Sequence, residues 1–220
     1  MLHLLYSLSM AQANWGPFPV EQEKYDVFEQ SIQRSPCSST LVKGLQMPDS
    51  PQYRIMNKDN VWGTSNMITT LSVATEELQW LVPHAHPLVI GDISKKHGGP
   101  MKGHRSHRGG SDADIGIYRG QAEQSPYGLQ TVPPSDFDAK TNWILIRALF
   151  DTGNVERILL DQTLVNKLRE YVIQSGELSK KDANHMFPRQ MKQTIWLREK
   201  VVHHHPGHKH HFHVRTYCGS

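Results

Sequence analysis

Cysteine is scarce in this 220-residue sequence: Cys37 and Cys218 are the two present, too few for a disulfide scaffold. An excess of charge of either sign is lacking as well. A formal balance of +3 does not predict a nucleic-acid partner, although the fourteen histidines would make the chain more cationic below about pH 6.5. No stretch approaches the roughly 20 apolar residues of a membrane span, which predicts a soluble chain with no membrane insertion. There is no glycine-rich phosphate loop and no internal repeat, which argues against nucleotide-binding and solenoid folds.

What is present is enough apolar sequence, 37% against 20% charged, to bury one good-sized core. Residues 1–50 read as an N-terminal arm or a weak secretion signal packing on the domain, and residues 51–220 as the domain itself. The signal reading rests on the apolar run Leu2-His3-Leu4-Leu5-Tyr6 and the small-residue end Ala11-Gln12-Ala13, although no Lys or Arg precedes the run. Thr64 or Ser65 caps a helix with Met67, Ile68, Leu71, Ala74, Leu78 and Leu81 at helical spacing, ended by Pro83. Leu88-Val89-Ile90 reads as a buried strand, and 94–108 and 119–137 as loops. A helix from Asn142 to Phe150, a strand from Val155 to Leu160 and a helix from Gln162 to Ser175 follow. The stretch 179–197 holds at least one helix broken by Pro188, and His211 to Cys218 alternates like a strand. Strands and helices interleave too irregularly for a doubly wound parallel sheet, so the predicted class is α+β.

Chemistry concentrates in two segments. From Asp112 the sequence alternates, with Ala113, Ile115 and Ile117 facing a core and Asp112, Asp114, Gly116 and Tyr118 facing the other side. Gly109-Gly110 permits a sharp turn before that strand, which folds His107 back toward Asp114. In the terminal strand Phe212, Val214 and Thr216 share one face and His211, His213 and Arg215 the other. Laid beside the first strand, this one converges His107, Asp114 and His213 on a point, with His211 beside it. Three N/O ligands with no thiolate, and a fourth position left for water, is how catalytic zinc is held.

Each feature also has an ordinary reading. His107 alone could be a surface histidine, and Asp114 could cap a turn or pair with Arg105 or Arg108. The basic loop of Lys95, Lys96, Lys102, Arg105 and Arg108 lacks interleaved aromatics and runs into two aspartates, which argues against nucleic acid. The histidine-rich run from His203 to His213 could be a metal-buffering tract, but it continues into a strand pattern, unlike a purification tag. Spacing alone leaves Cys37 and Cys218 either bridged or as two thiols.

Ser106-His107-x-x-Gly-x-Asp112-x-Asp114, with the terminal His208-x-x-His211-Phe212-His213-Val214-Arg215, closely resembles the penicillin-insensitive murein endopeptidases. These belong to a wider group with lysostaphin, the D-alanyl-D-alanine metallopeptidases and the hedgehog signalling domain. The likeness runs from about Tyr53 to Cys218 and includes Asn60-Val61-Trp62-Gly63-Thr64 and Val89-Ile90-Gly91-Asp92-Ile93-Ser94. The resemblance implies one zinc ion per chain on His107, Asp114 and His213, with His104, His208 and His211 as nearby non-ligand histidines. It implies a small antiparallel sheet flanked by helices, and peptidoglycan peptide cross-links of the D-alanyl-to-diaminopimelyl type as substrate. It also favours a Cys37–Cys218 bridge, and a periplasmic or otherwise extracytoplasmic place of action, with a phage lysis enzyme (endolysin) as the alternative origin.

Within that expectation His211 is the general base, because it shares a strand face with His213 and neither motif contains Glu. His208 relays a proton or donates to the oxyanion. Asp112 orients a ligand from behind it, and His104 and Arg105 contact the substrate's carboxylates. The rivals are a D,D-carboxypeptidase on the same wall peptides and a non-catalytic, hedgehog-like zinc-binding module.

Overall fold

Thr64 adopts an extended backbone and its hydroxyl accepts from the Met67 N–H, so the chain enters helix α1 (Ser65–Leu81) at the residue the sequence marks. In the computed structural model, which describes residues 39–120, 129–188 and 200–218, this helix buries Met67, Ile68, Leu71, Ala74 and Leu78. Helix α2 (Ala139–Asp151) starts a turn earlier than its apolar periodicity suggests, because the Asp138 carboxylate accepts from the Thr141 N–H. Gly153, at φ 75°, then lets the chain leave in the left-handed conformation. Asp161 caps α3 (Gln162–Gln174) and Ser179 caps α4 (Lys180–Met186), which ends before Pro188 as expected.

The strands are β1 (Leu45–Gln46), β2 (Tyr53–Ile55), β3 (Trp62–Gly63), β4 (Leu88–Ile90), β5 (Asp112–Ile115), β6 (Val155–Leu160), β7 (Val201–His204) and β8 (Phe212–Thr216). β1 and β3 form a two-stranded antiparallel sheet, and the other six a sheet in the order β2-β4-β5-β8-β6-β7. The α+β class holds, but the larger sheet is mixed where a small antiparallel one is expected. β2 with β4 and β6 with β7 run parallel. A parallel pair needs a long crossover, which α1 supplies for the first and α3 with α4 for the second. β7 has no counterpart in the sequence reading: its two valines lead straight into the histidine run, and His203 and His204 are strand residues paired with Leu159 and Leu160.

The centre of the sheet is antiparallel. β8 lies between β5 and β6, with Ala113 opposite Val214, Val214 opposite Ile158, and Ile115 opposite Phe212. These residues join α1, α2 and α3 side chains in one core. Alternation then sends Asp112, Asp114, His213 and Arg215 to the opposite face. Among the expectations, most of the N-terminal arm, Cys37 of the expected bridge, residues 121–128 of one loop and residues 189–197 lie outside the described residues.

Trp143 anchors α2. It is 1% exposed and packs against Phe187 with ring centroids 5.9 Å apart, while its indole N–H meets no acceptor among the described residues. Trp143→Ala should therefore cost about 3–5 kcal/mol of unfolding free energy. Trp143→Phe, which keeps a ring and removes the unsatisfied donor, should cost less than about 2 kcal/mol. Denaturant unfolding of the two variants checks this. Equal losses would show that ring packing is not what Trp143 contributes.

Candidate metal centre

The approach to β5 is built on one glycine. Gly110 sits at φ 74°, and a Cβ there would lie 2.9 Å from both the Gly63 Cα and the Thr64 nitrogen. Its carbonyl accepts from the Thr64 N–H at 3.0 Å, which locks the turn to the start of α1. Gly109 does not share the left-handed conformation, so Gly110 alone supplies the freedom expected of the pair. The turn delivers buried His107 to the polar face of the sheet, where its Nδ1 lies 3.0 Å from the Ile93 carbonyl.

That contact fixes the ring. A carbonyl only accepts, so Nδ1 carries the proton and Nε2 offers a lone pair. The Nε2 lies 3.2 Å from His213 Nδ1 and 3.3 Å from Asp114 Oδ1, and His213 Nδ1 is 3.0 Å from the same oxygen. Asp114 and His213 are direct cross-strand partners. The other ring nitrogen of His213 is 2.8 Å from Asp112 Oδ1, which also accepts from Arg215 Nε at 2.8 Å. Both imidazoles are thus anchored from behind, one by a carbonyl and one by a carboxylate, the arrangement that orients metal-ligating histidines.

The other expected residues surround this triangle. His104 lies between two carboxylates, its Nε2 3.1 Å from Asp92 Oδ2 and its Nδ1 3.6 Å from Asp114 Oδ2. His104, His107 and Asp114 also bring ligand atoms within 4.8 Å of one another and could hold a metal ion. His211 Nε2 is 3.4 Å from Asp114 Oδ1, and the His208 ring centroid is 4.7 Å from that of His211 and 5.8 Å from that of His213. Arg105 is exposed on the loop. Three contributors escape the sequence reading of the site. Asp92 holds His104 and is itself bonded by Asn60, Arg215 steadies Asp112, and the Ile93 carbonyl orients His107. The Val89–Ser94 and Arg215 motifs contain the first two, but no side chain signals a backbone acceptor.

Burial and charge set the protonation states. Burial alone would push the Asp114 carboxyl up, but the imidazoles of His107, His213 and His211 packed around it outweigh burial and hold the group far below the usual carboxylate range. Asp112 is lowered in the same way, burial opposed by His213 and Arg215. For His213 burial works downward, yet the two carboxylates win and raise it to about 9. His211 is pushed down by burial to about 3, the neighbouring His208 and His210 adding to the effect and Asp114 only partly offsetting it.

The donor set suits a borderline divalent ion. Bonds of roughly 2.0–2.1 Å in tetrahedral geometry set ligand atoms about 3.3 Å apart, which the 3.0, 3.2 and 3.3 Å sides of the His107–His213–Asp114 triangle approach. Two imidazoles and one carboxylate, without sulfur, could hold a divalent transition-metal ion.

The sequence model of one family, described as penicillin-insensitive murein endopeptidase, matches residues 37–220. No curated protein matches the chain.

At pH 7 the metal-free His213, raised to about 9, carries a proton that a metal ligand cannot keep. Binding one divalent ion should release close to one proton at pH 7, and affinity should rise about tenfold per pH unit toward pH 9. Calorimetry in buffers of different ionisation enthalpy counts that proton, and a count of zero would remove His213 from the ligand set. The stability of the metal-free chain follows from the same shifts. A raised His213 contributes below its ordinary 6.5 and loses that contribution as pH rises through about 9. The lowered aspartates contribute above their ordinary 3.8 and lose it in stronger acid. His211, lowered to about 3, and His203, lowered to about 4, act the other way and cost stability as pH falls below 6.5. Chelated protein should accordingly resist denaturant best near pH 6.5 and lose stability toward acid and toward pH 9.

Proposed function

The chain belongs to the penicillin-insensitive murein endopeptidase family, and we propose that it hydrolyses D-alanyl-to-diaminopimelyl cross-links of bacterial cell wall through one zinc ion on His107, Asp114 and His213. The observation that carries this reading is the buried triangle of His107 Nε2, His213 Nδ1 and Asp114 Oδ1, with both imidazoles held from behind. Zinc bound there supplies Lewis acidity toward the scissile carbonyl and lowers the pKa of water toward about 7. The remaining work falls to the chain's own groups.

His211 is our general base. It lies at the edge of the triangle, 3.4 Å from Asp114 Oδ1, and burial keeps it unprotonated at neutral pH. The proton it takes from the attacking water then passes to the departing amine. His208 is our donor to the oxyanion. Its ring stands beside the triangle, 4.7 Å, centroid to centroid, from that of His211. Asp112 holds His213 in its ligating orientation, and His104 with exposed Arg105 are our candidates for the carboxylates of the wall peptide. Work on wall peptides implies action outside the cytoplasm, in the periplasm or as a phage lysis enzyme.

Digestion of purified peptidoglycan, read by mass spectrometry, tests the bond cut. Cross-linked dimers should become monomers; loss of a single terminal alanine would indicate a D,D-carboxypeptidase, and unchanged muropeptides a zinc-binding module. The same protein should contain about one zinc and stop working when chelated. His211→Ala should retain that zinc while turnover falls roughly 10²–10⁴-fold. His104→Ala should also retain it, and loss of metal there would move His104 into the ligand set in place of His213.

A further inference from the structure

Beyond the triangle, the turn that leads into β8 contains a second set of converging donors. His205 Nδ1 and His208 Nδ1 are 3.2 Å apart, and the Pro206 carbonyl oxygen lies 2.9 Å from the first and 3.0 Å from the second. Three N/O atoms thus form a triangle of nearly the same size as that of His107, His213 and Asp114. The ring planes stand at 80° with centroids 4.7 Å apart, so the imidazoles meet edge to face and are not stacked. Both rings are half-buried, and Pro206 and Gly207 at the tip of the turn are exposed, which gives an ion a route in from solvent.

Chemically the two sites differ. The first includes a buried carboxylate that neutralises part of an ion's charge; the second offers two neutral imidazoles and a carbonyl, with water completing the shell. Imidazole selects zinc and its neighbours among the transition metals over calcium or magnesium, and the missing carboxylate makes the second site the weaker.

We propose that His205, His208 and the Pro206 carbonyl form a second, weaker site for a zinc-like divalent ion, and that filling it silences the enzyme. The silencing, though not the binding, rests on the role given to His208 above. An ion on His208 Nδ1 commits to metal a ring that stands 4.7 Å from His211. The chain would then need one zinc and be inhibited by two.

The test uses zinc itself on the whole, zinc-loaded protein. Calorimetric titration should show a further, weaker equivalent in the wild type and none in His205→Ala, a change in a half-exposed turn residue outside the catalytic machinery. Wall-degrading activity should fall as that weaker equivalent fills in the wild type, while His205→Ala keeps its full activity at the same zinc concentration. His107→Ala separates the two claims, since it should lose the tight equivalent and retain the weak one. A wild type that takes up no second equivalent, or a His205→Ala variant that still does, overturns the second site. A second equivalent that binds without inhibiting overturns the silencing and leaves the site.

Discussion

A slip of one residue between β5 and β8 would set Asp114 opposite Val214 or Phe212 and turn alternate side chains from one face of the sheet to the other. The observed register sets Asp114 against His213 and Asp112 against Arg215. The same pairing sets Ala113 against Val214 and Ile115 against Phe212, so the core and the polar face are fixed by one set of peptide hydrogen bonds. Burial of the apolar half holds the register, because a slip of β5 would bring two carboxylates into the core and expose Ile115, and a slip of β8 would bring in an imidazole and expose Phe212. β6 on the far side of β8 and β4 on the far side of β5 make both strands internal to the sheet. The site therefore stands on two internal strands of the sheet.

Given that platform, the histidines are sorted by what lies behind each ring. His107 has a carbonyl behind it and His213 a carboxylate, and each turns its remaining nitrogen to Asp114. His104 has Asp92 behind it and reaches Asp114 from the side. Other histidines serve the fold. His204 Nδ1 accepts the Gln162 N–H at the start of α3, and His86 stacks on Tyr118 with centroids 4.6 Å apart. Residue type is the same throughout, and the neighbour decides which nitrogen each ring turns outward and whether it serves the cluster or the fold.

This explains why some of the molecule was legible in the sequence and some was not. The three long helices each have a capping side chain and an apolar stripe, both local properties, and the sequence places all three to within about a turn. The alternation in β5 and β8 is local too, and it places Asp112 with Asp114, and His213 with Arg215, on one face of each strand. Long-range pairing is not local. Nothing in Tyr53–Ile55 or Val201–His204 announces that each lies parallel to another strand, and the valines of β7 merge into a histidine run that masks them. The anchors behind the ligands were hidden for a similar reason: Ile93 acts through its backbone, and Asp92 matters only once the fold carries it to His104.

Electrostatics makes the metal-free arrangement a compromise. Two buried carboxylates face His213 and draw a proton onto it, so the charge balance that a divalent ion would bring is met in part by hydrogen ions. Removing one carboxylate would leave the remaining groups less in need of a cation, and removing an imidazole would leave a buried charge short of a partner, the more costly loss. The same balance is absent at His205 and His208, where the hydrogen-bond partners of the two rings among the described residues are each other and the Pro206 carbonyl. A cation there gains coordination without relieving a buried charge. Affinity at the two proposed sites should then differ even though their dimensions agree, with Asp114 setting the order in which they fill.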